Sequence, residues 1–252
     1  MRGLKDKVAI VTGGGQGIGR GIALRLAEEG CKVAIFDMNP AAGAETEKLA
    51  GAATVKTYQV DVTDYDGIKA AVDAVEVDLG PVWALVNNAG WDLPKNFLQT
   101  DKPLWDKIIA INLYGPLNTH HVVAPLMVAR GGGRIINIAS DAARVGTSSE
   151  AVYSACKGGV ISFTKSVARE LARNNVLLNV VCPGPTNTPM MAGVLGEGEA
   201  AIKWKDAMVR GIPLRRMGEP EDYGGMVAFL ASDDASFMTG QTISIAGGMN
   251  MI

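Results

Sequence analysis

Val8-Ala9-Ile10-Val11-Thr12-Gly13-Gly14-Gly15-Gln16-Gly17-Ile18-Gly19 is the stretch whose reading decides the fold. Val8–Thr12 is a short apolar, β-branched run and reads as a strand. Gly17–Glu29, closed by Gly30, reads as a helix. The glycines between them permit a tight turn and let backbone come close to a ligand. The helix opens with unpaired N–H groups at the positive end of its dipole, which suits a pyrophosphate. A turn that merely packs helix on sheet is the plain alternative. Asp37 favours the ligand, because it ends the next strand about 20 residues on, where a carboxylate can accept ribose hydroxyls.

Outward from that turn, short apolar runs alternate with helical patterns. Lys32–Phe36, Val55–Val60, Val82–Val86, Arg134–Ile138, Val176–Val181 and Thr242–Ala246 read as strands. Pro40–Ala50 (with Asn39 as N-cap), Asp64–Leu79, Ala151–Asn174 and Pro220–Ala231 read as helices. Lys102–Ala129 reads as one long helix, bent near Pro116 and Pro125. Pro183–Pro213 lacks steady periodicity. Strands separated by helices of this length are the signature of βαβ units and a parallel sheet. No linker or composition shift divides the 252 residues, so the expectation is a single domain, 1–252.

Composition removes several classes of function. Charged residues make up 20% and hydrophobic ones 48%, as in a globular chain. The net charge of −2 argues against nucleic acid or an anionic membrane as partner. No apolar run approaches the ~18 residues of a membrane span, and no signal-peptide core precedes the first strand. Cys31, Cys156 and Cys182 form no CxxC or Cys/His cluster, so no metal is expected and a reducing cytoplasm fits. Glycine is in excess, with 31 copies where about 18 follow from an average usage of about 7%.

The turn departs from G-x-G-x-x-G and reads T-G-x-x-x-G-x-G, which resembles the cofactor turn of the short-chain dehydrogenase/reductase family. Further elements agree: Asp61-Val62 after the third strand, Asn87-Asn88-Ala89-Gly90 after the fourth, and Pro183-Gly184-Pro185-Thr186-Asn187-Thr188 after the sixth. The resemblance implies an α/β fold, a doubly wound (Rossmann-type) parallel sheet flanked by helices. It also implies a nicotinamide dinucleotide held by Gly13, Gln16, Gly17, Ile18, Gly19, Asp37, Met38, Asp61, Val62, Asn88, Ala89, Gly90, Tyr153, Lys157, Pro183, Gly184, Thr186 and Thr188. Asp37 would repel a 2′-phosphate, and neither Gln16 nor Met38 is a cation, so NAD is expected over NADP.

Tyr153 and Lys157 stand at i and i+4 and share one helix face. A tyrosine with its ordinary pKa of ~10 is a poor base at neutral pH. A neighbouring ammonium, with the positive nicotinamide of NAD, favours phenolate and lowers that value. Such a group can exchange a proton with an alcohol oxygen as hydride moves. Ser140 follows a strand at the carboxyl edge, where it can hydrogen-bond the same oxygen. By the resemblance, Asn112 completes an Asn-Ser-Tyr-Lys set and holds a water that links Lys157 to solvent. A lone YxxxK is otherwise an exposed lysine beside a half-buried tyrosine.

Residues around the mouth carry the substrate. Trp91, Asp92, Arg144, Glu150, Met190, Met191 and Trp204 are the candidates, the last three on an expected lid at 189–213 loosened by glycines. Core packing is the plain reading of the methionines. Asn-Ile-Ala-Ser140-Asp-Ala-Ala-Arg144-Val-Gly, Glu150-Ala-Val-Tyr153 and Trp91-Asp92 resemble the family's dehydrogenases of 2-hydroxycyclohexanecarboxyl-CoA. That implies a CoA thioester as substrate, with Arg144 or lid cations meeting CoA phosphates. A 3-oxoacyl-thioester reductase, a small cyclic alcohol or polyol dehydrogenase, and a catalytically silent binding subunit remain open. The resemblance also implies a homotetramer built through helices 102–129 and 151–174 and the C-terminal strand. Adjacent His120 and His121 point to different faces and suit a subunit contact, while Cys156 reads as a small buried helix residue.

Overall fold

The computed structural model describes residues 1–196 and 198–252. Its seven strands are β1 (Val8–Thr12), β2 (Lys32–Asp37), β3 (Val55–Gln59), β4 (Val82–Asn87), β5 (Gly133–Ile138), β6 (Val176–Pro183) and β7 (Thr242–Ile245). They form one parallel sheet in the order β3-β2-β1-β4-β5-β6-β7. The order reverses between β1 and β4, which opens a crevice at the carboxyl edge.

Helices cover both faces: α1 (Gly17–Glu28), α2 (Pro40–Ala50), α3 (Tyr65–Asp78), α4 (Lys102–Ile109), α5 (Gly115–Ala129), α6 (Ala142–Val145), α7 (Ala151–Leu171), α8 (Pro189–Leu195), α9 (Glu199–Gly211) and α10 (Glu221–Ala231). Alternation along β1 sorts its side chains into two cores. Ala9 and Val11 pack with Ile22, Leu26 and Val227 of α1 and α10. Val8 and Ile10 pack with Ile68, Val72, Val123 and Met127 of α3 and α5. A strand buried on both faces is apolar at every position, which is why these runs stand out in the sequence. Each such aliphatic side chain contributes about 1.5–3 kcal/mol by leaving water.

The expected Asn39 cap forms, and Asp64, read as the first helical residue, caps α3 instead. Asn39 Oδ1 accepts from Ala41 and Ala42 N–H, and Asp64 Oδ1 from Gly67 N–H. Three expectations are corrected. The long helix is interrupted at Ala110–Tyr114, a π turn centred on Asn112, with Pro116 opening α5 behind it and Pro125 inside α5. The helix from Ala151 ends at Leu171 and tightens into a 3₁₀ turn, Ala172–Asn174. Pro183–Pro213 holds two helices, α8 and α9, where the sequence shows no steady period; Glu197, within the expected lid, lies outside the described residues.

A polar network crosses the apolar core beneath α5 and α7. Thr119 Oγ1 donates to Asn87 Oδ1 (2.6 Å), Asn87 Nδ2 to Asn137 Oδ1 (2.9 Å), and Asn137 Nδ2 to Thr164 Oγ1 (2.8 Å). His120 lies within it, buried against Phe163. Its Nδ1–H donates to Pro116 O (2.6 Å) and its Nε2 accepts from Asn137 Nδ2 (3.3 Å), an arrangement that needs the neutral ring. Burial therefore holds its pKa down at about 4. Below about pH 6.5 the unfolded chain takes a proton that the fold refuses. Stability is expected to fall between about pH 6.5 and 4, with about 3 kcal/mol of that loss due to His120. Urea titrations across this range check it: His120→Gln flattens the loss, and an equal slope in both proteins contradicts the assignment.

Candidate active site

The turn after β1 is fastened from three sides. Gly13 N–H donates to Phe36 O (2.7 Å), and Asp37 Oδ2 accepts from Gly15 N–H (3.0 Å). Arg20 donates to Gly15 O (2.6 Å) and to Thr46 and Glu45. Buried Thr12 Oγ1 accepts from Asn88 N–H and Ala89 N–H (both 3.0 Å), while Asn88 Nδ2 returns to Thr12 O and Gly13 O. No side chain fits at Gly15 or Gly19: a Cβ at Gly19 would come within 2.1 Å of Gly13 O, and one at Gly15 within 2.8 Å of Asp37 Oδ2. Gly13 and Gly17 have φ of 64° and 52°, a region that favours glycine.

The other cofactor candidates border this turn or the adjoining strand ends. Gln16 precedes α1 in extended conformation, exposed, and Met38 is exposed beyond Asp37. Ile18 packs on the core, and buried Val62 lies against Gly115. Asp61 accepts from Thr63 N–H and Oγ1–H (both 2.8 Å). Thr188 comes within 3.3 Å of a Cβ position at Gly17, so the loop after β6 reaches over the turn. Its hydroxyl caps α8 through Met191 N–H (3.1 Å). Thr186 turns inward, buried, to hydrogen-bond Gly184 O and the Tyr223 hydroxyl, which settles its packing. Gly184 packs tightly on Ala246, and Pro183 O accepts from Asp141 N–H (3.0 Å).

The four expected catalytic side chains lie on elements that meet at the carboxyl ends of β4 and β5. Ser140 follows β5, where its Oγ accepts from Ala142 N–H (3.1 Å), and stands near Tyr153 on the first turn of α7. Lys157, buried one turn on, has Nζ 5.7 Å from the Tyr153 ring centroid and donates to Ile138 O (2.9 Å). Burial pulls that ammonium down to about 8. Asn112 Oδ1 and Lys157 Nζ both converge on Gly90, 3.0 and 3.5 Å from its Cβ position. The π turn aims Asn112 there. Its amide donates to Ile108 O (2.9 Å) and Trp91 O (2.7 Å), and its Oδ1 accepts from Trp91 N–H (3.3 Å).

One electrostatic expectation is reversed among the protein's own groups. The Tyr153 pKa is pushed above the ordinary tyrosine range by burial, then by the charges of Glu150 and Asp92; the nearby Ser140 hydroxyl opposes them. Lys157, with Nζ 5.7 Å from the ring centroid, gives its hydrogen bond to the Ile138 carbonyl.

The substrate candidates divide. Trp91, Asp92 and Glu150 stand beside the catalytic set; Lys107 Nζ lies 3.8 Å from the Trp91 ring centroid, and Asp92, Glu150 and Tyr153 line one cavity. Met190 and Trp204 expose about half their surface on α8 and α9, at 45% and 48%, and Met191 is half-buried. Arg144 is a correction. It donates to Ser244 Oγ (2.6 Å) and to the Ile252 carbonyl, so its guanidinium is tied to β7 and the last residues and not offered to a CoA phosphate. Buried Asp141 joins this clasp by accepting from Ser244 Oγ–H and from Asn250 Nδ2 (3.0 Å).

Sequence reasoning missed the positioning partners: Thr12, Arg20 and Thr46 at the turn, Asp141 and Ser244 beneath Ser140. Thr12 directly before the glycines was the one legible trace. Among the described residues, no group of three His, Cys, Asp or Glu is placed to hold a metal, and no helix is long and apolar enough to cross a membrane.

Known proteins share this architecture. A family model described as enoyl-(acyl carrier protein) reductase matches residues 13–250. The 3-oxoacyl-[acyl-carrier-protein] reductase FabG of Staphylococcus aureus is 40% identical over 248 residues, 97% of this chain and 98% of its own. The (3R)-3-hydroxyacyl-CoA dehydrogenase of Rattus norvegicus is 36% identical over 259 residues, 98% of each chain. Among solved structures, the 3-ketoacyl-(acyl-carrier-protein) reductase of Brucella melitensis complexed with NADH superimposes with TM-score 0.90 at 31% identity, covering 98% of this chain and 100% of that one. A single-substitution variant of actinorhodin polyketide ketoreductase with NADPH gives 0.92 at 35%, covering 99% of each. With the strand order, the edge site and these full-length likenesses, the chain belongs to the short-chain dehydrogenase/reductase family of oxidoreductases acting on an alcohol or ketone.

Proposed function

We propose that the protein is an NAD-dependent dehydrogenase of 3-hydroxyacyl-CoA thioesters, with a cyclic substrate such as 2-hydroxycyclohexanecarboxyl-CoA. The observation that carries the reaction class is Tyr153 beside buried Lys157 on α7, with Ser140 following β5, next to the glycine-built turn. When bound, NAD supplies the hydride acceptor. Gly13, Gly17 and Gly19 would admit its pyrophosphate, and Pro183–Thr188 its nicotinamide end. Ser140 donates a hydrogen bond to the substrate oxygen and steadies alkoxide charge. Tyr153, as phenolate, takes the hydroxyl proton and becomes the phenol, and Lys157, its Nζ held on the Ile138 carbonyl one turn away, is the group that relays the proton on toward solvent.

Preference for NAD over NADP is supported by the Asp37 carboxylate at the turn. Arg20, the cation touching the turn, is engaged with Gly15 O and Glu45 and does not offset a phosphate. The thioester is supported by the run Asn137–Glu150 with Trp91-Asp92, and by the rat relative named for 3-hydroxyacyl-CoA. With Arg144 tied elsewhere, Lys203 and Lys205 on α9 are the cations that would meet CoA phosphates. Helices α8 and α9 form the lid, with Met190, Ile202 and Trp204 offering exposed apolar surface to an acyl body. A 3-oxoacyl-carrier-protein reductase is the second reading, favoured by the name of the S. aureus relative.

A second copy of the chain would cover an apolar groove of about 540 Å³ between α5 and α7, lined by Leu117, Ala124, Val128, Phe163 and Val167. Its presence supports a homotetramer built through these helices.

Tyr153→Phe is expected to lower turnover by about 10³-fold or more while NAD binding stays within about twofold; unchanged turnover would reject the catalytic assignment. Val167→Glu, placed in the groove, is expected to split the assembly with the fold intact. Sedimentation of both proteins checks this, and a monomeric wild type would contradict it.

A further inference from the structure

Asp92 and Glu150 are two carboxyl groups beside the reacting edge that proton transfer through Ser140, Tyr153 and Lys157 does not use. Asp92 follows Trp91 on the loop leaving β4, and Glu150 stands directly before α7 with its side chain making no cap hydrogen bond. Both line one small cavity whose wall also holds Tyr153, Ile108 and Thr100. Asp92 Oδ2 is sealed from solvent and has no hydrogen-bond partner among the described residues. Lys95 is exposed in the same wall, and neither carboxylate joins an ion pair among the described residues.

The fold holds these groups together against their repulsion. Lys95 N–H donates to Ser149 O (2.8 Å), and the Ser149 hydroxyl donates to Asn96 Oδ1 (3.0 Å), which stitches the two loops. Ser149 itself sits at φ 70°, a conformation a serine keeps only where its surroundings impose it. Two carboxylates in one partly buried wall resist ionising together, so one of them keeps a proton up to near neutral pH. Burial raises Asp92 to about 6 and Glu150 to about 7, the Asp92 charge adding to the latter.

We propose that Asp92 and Glu150 act as one carboxyl pair holding a single proton, and that this pair reads the group attached beside the reacting carbon. The held proton donates a hydrogen bond to an uncharged carbonyl, that of a thioester, ester or amide. The remaining negative charge turns away a free carboxylate. In naming a thioester the inference rests on the function proposed above, but the discrimination concerns charge and needs no CoA.

The test compares ethyl 2-hydroxycyclohexanecarboxylate with the free acid of the same ring, as kcat/KM with NAD⁺ and as binding to the NADH complex by nicotinamide fluorescence. The wild type is expected to prefer the ester by about 100-fold, mainly through the KM of the acid. Asp92→Asn with Glu150→Gln keeps shape and hydrogen bonding while removing the charge, and is expected to bring the preference below about tenfold. Glu150→Gln alone serves if the double variant loses NADH affinity. Equal use of ester and acid by the wild type, an unchanged preference in the variants, or an ester that neither binds nor turns over would overturn the proposal. Ester preference without turnover of a CoA thioester leaves the pair standing and removes the thioester function. Turnover of the thioester and the free acid alike removes the pair and leaves that function.

Discussion

The site depends on how closely two backbone turns approach at the carboxyl edge of the sheet. The buried Thr12 hydroxyl receives the N–H groups of Asn88 and Ala89, and the Asn88 amide returns to Thr12 and Gly13. Gly19 lies so near Gly13 that no Cβ fits between them. These contacts fix the glycine turn against the strand end that leads to Gly90, Trp91 and Asp92. Asn112 and Lys157 then converge on Gly90, and Lys157 places Tyr153 one turn away. A single methyl group at Gly19 would push apart the two sides on which cofactor and substrate are proposed to meet.

Charge around Tyr153 is arranged in opposition. Burial and the carboxyl groups of Glu150 and Asp92 keep the phenol protonated, while burial draws Lys157 down to about 8. A tyrosine held protonated is ready to donate, as reduction requires. Oxidation needs the phenolate, which positive charge beside the ring favours. The clasp of Asp141 and Arg144 with Ser244, Asn250 and Ile252 keeps Ser140 in place from the far side.

Buried parallel strands, the cap at Asn39, and the glycines, Asp37 and the Tyr153–Lys157 spacing were legible because each is set by local chain geometry. The π turn was not, since a single extra residue leaves no compositional mark; Asn112 in mid-helix was its trace. Helices α8 and α9 escaped because α8 is short and α9 exposes Ile202 and Trp204, so no single buried stripe forms. Arg144 looked like a free cation because its partner Ser244 lies 100 positions away. The same holds for Asp92 and Glu150, whose proximity comes from the joining of two loops.

Reduction of NAD⁺ and NADP⁺ by the purified protein, with cyclic and linear 3-hydroxyacyl-CoA thioesters and the corresponding free alcohols and polyols, tests the central claim most directly. The expected result is reduction of NAD⁺ by a hydroxyacyl-CoA, with NADP⁺ at least about tenfold poorer because of Asp37. Oxidation of free alcohols without any thioester, or a preference for NADP⁺, would contradict it.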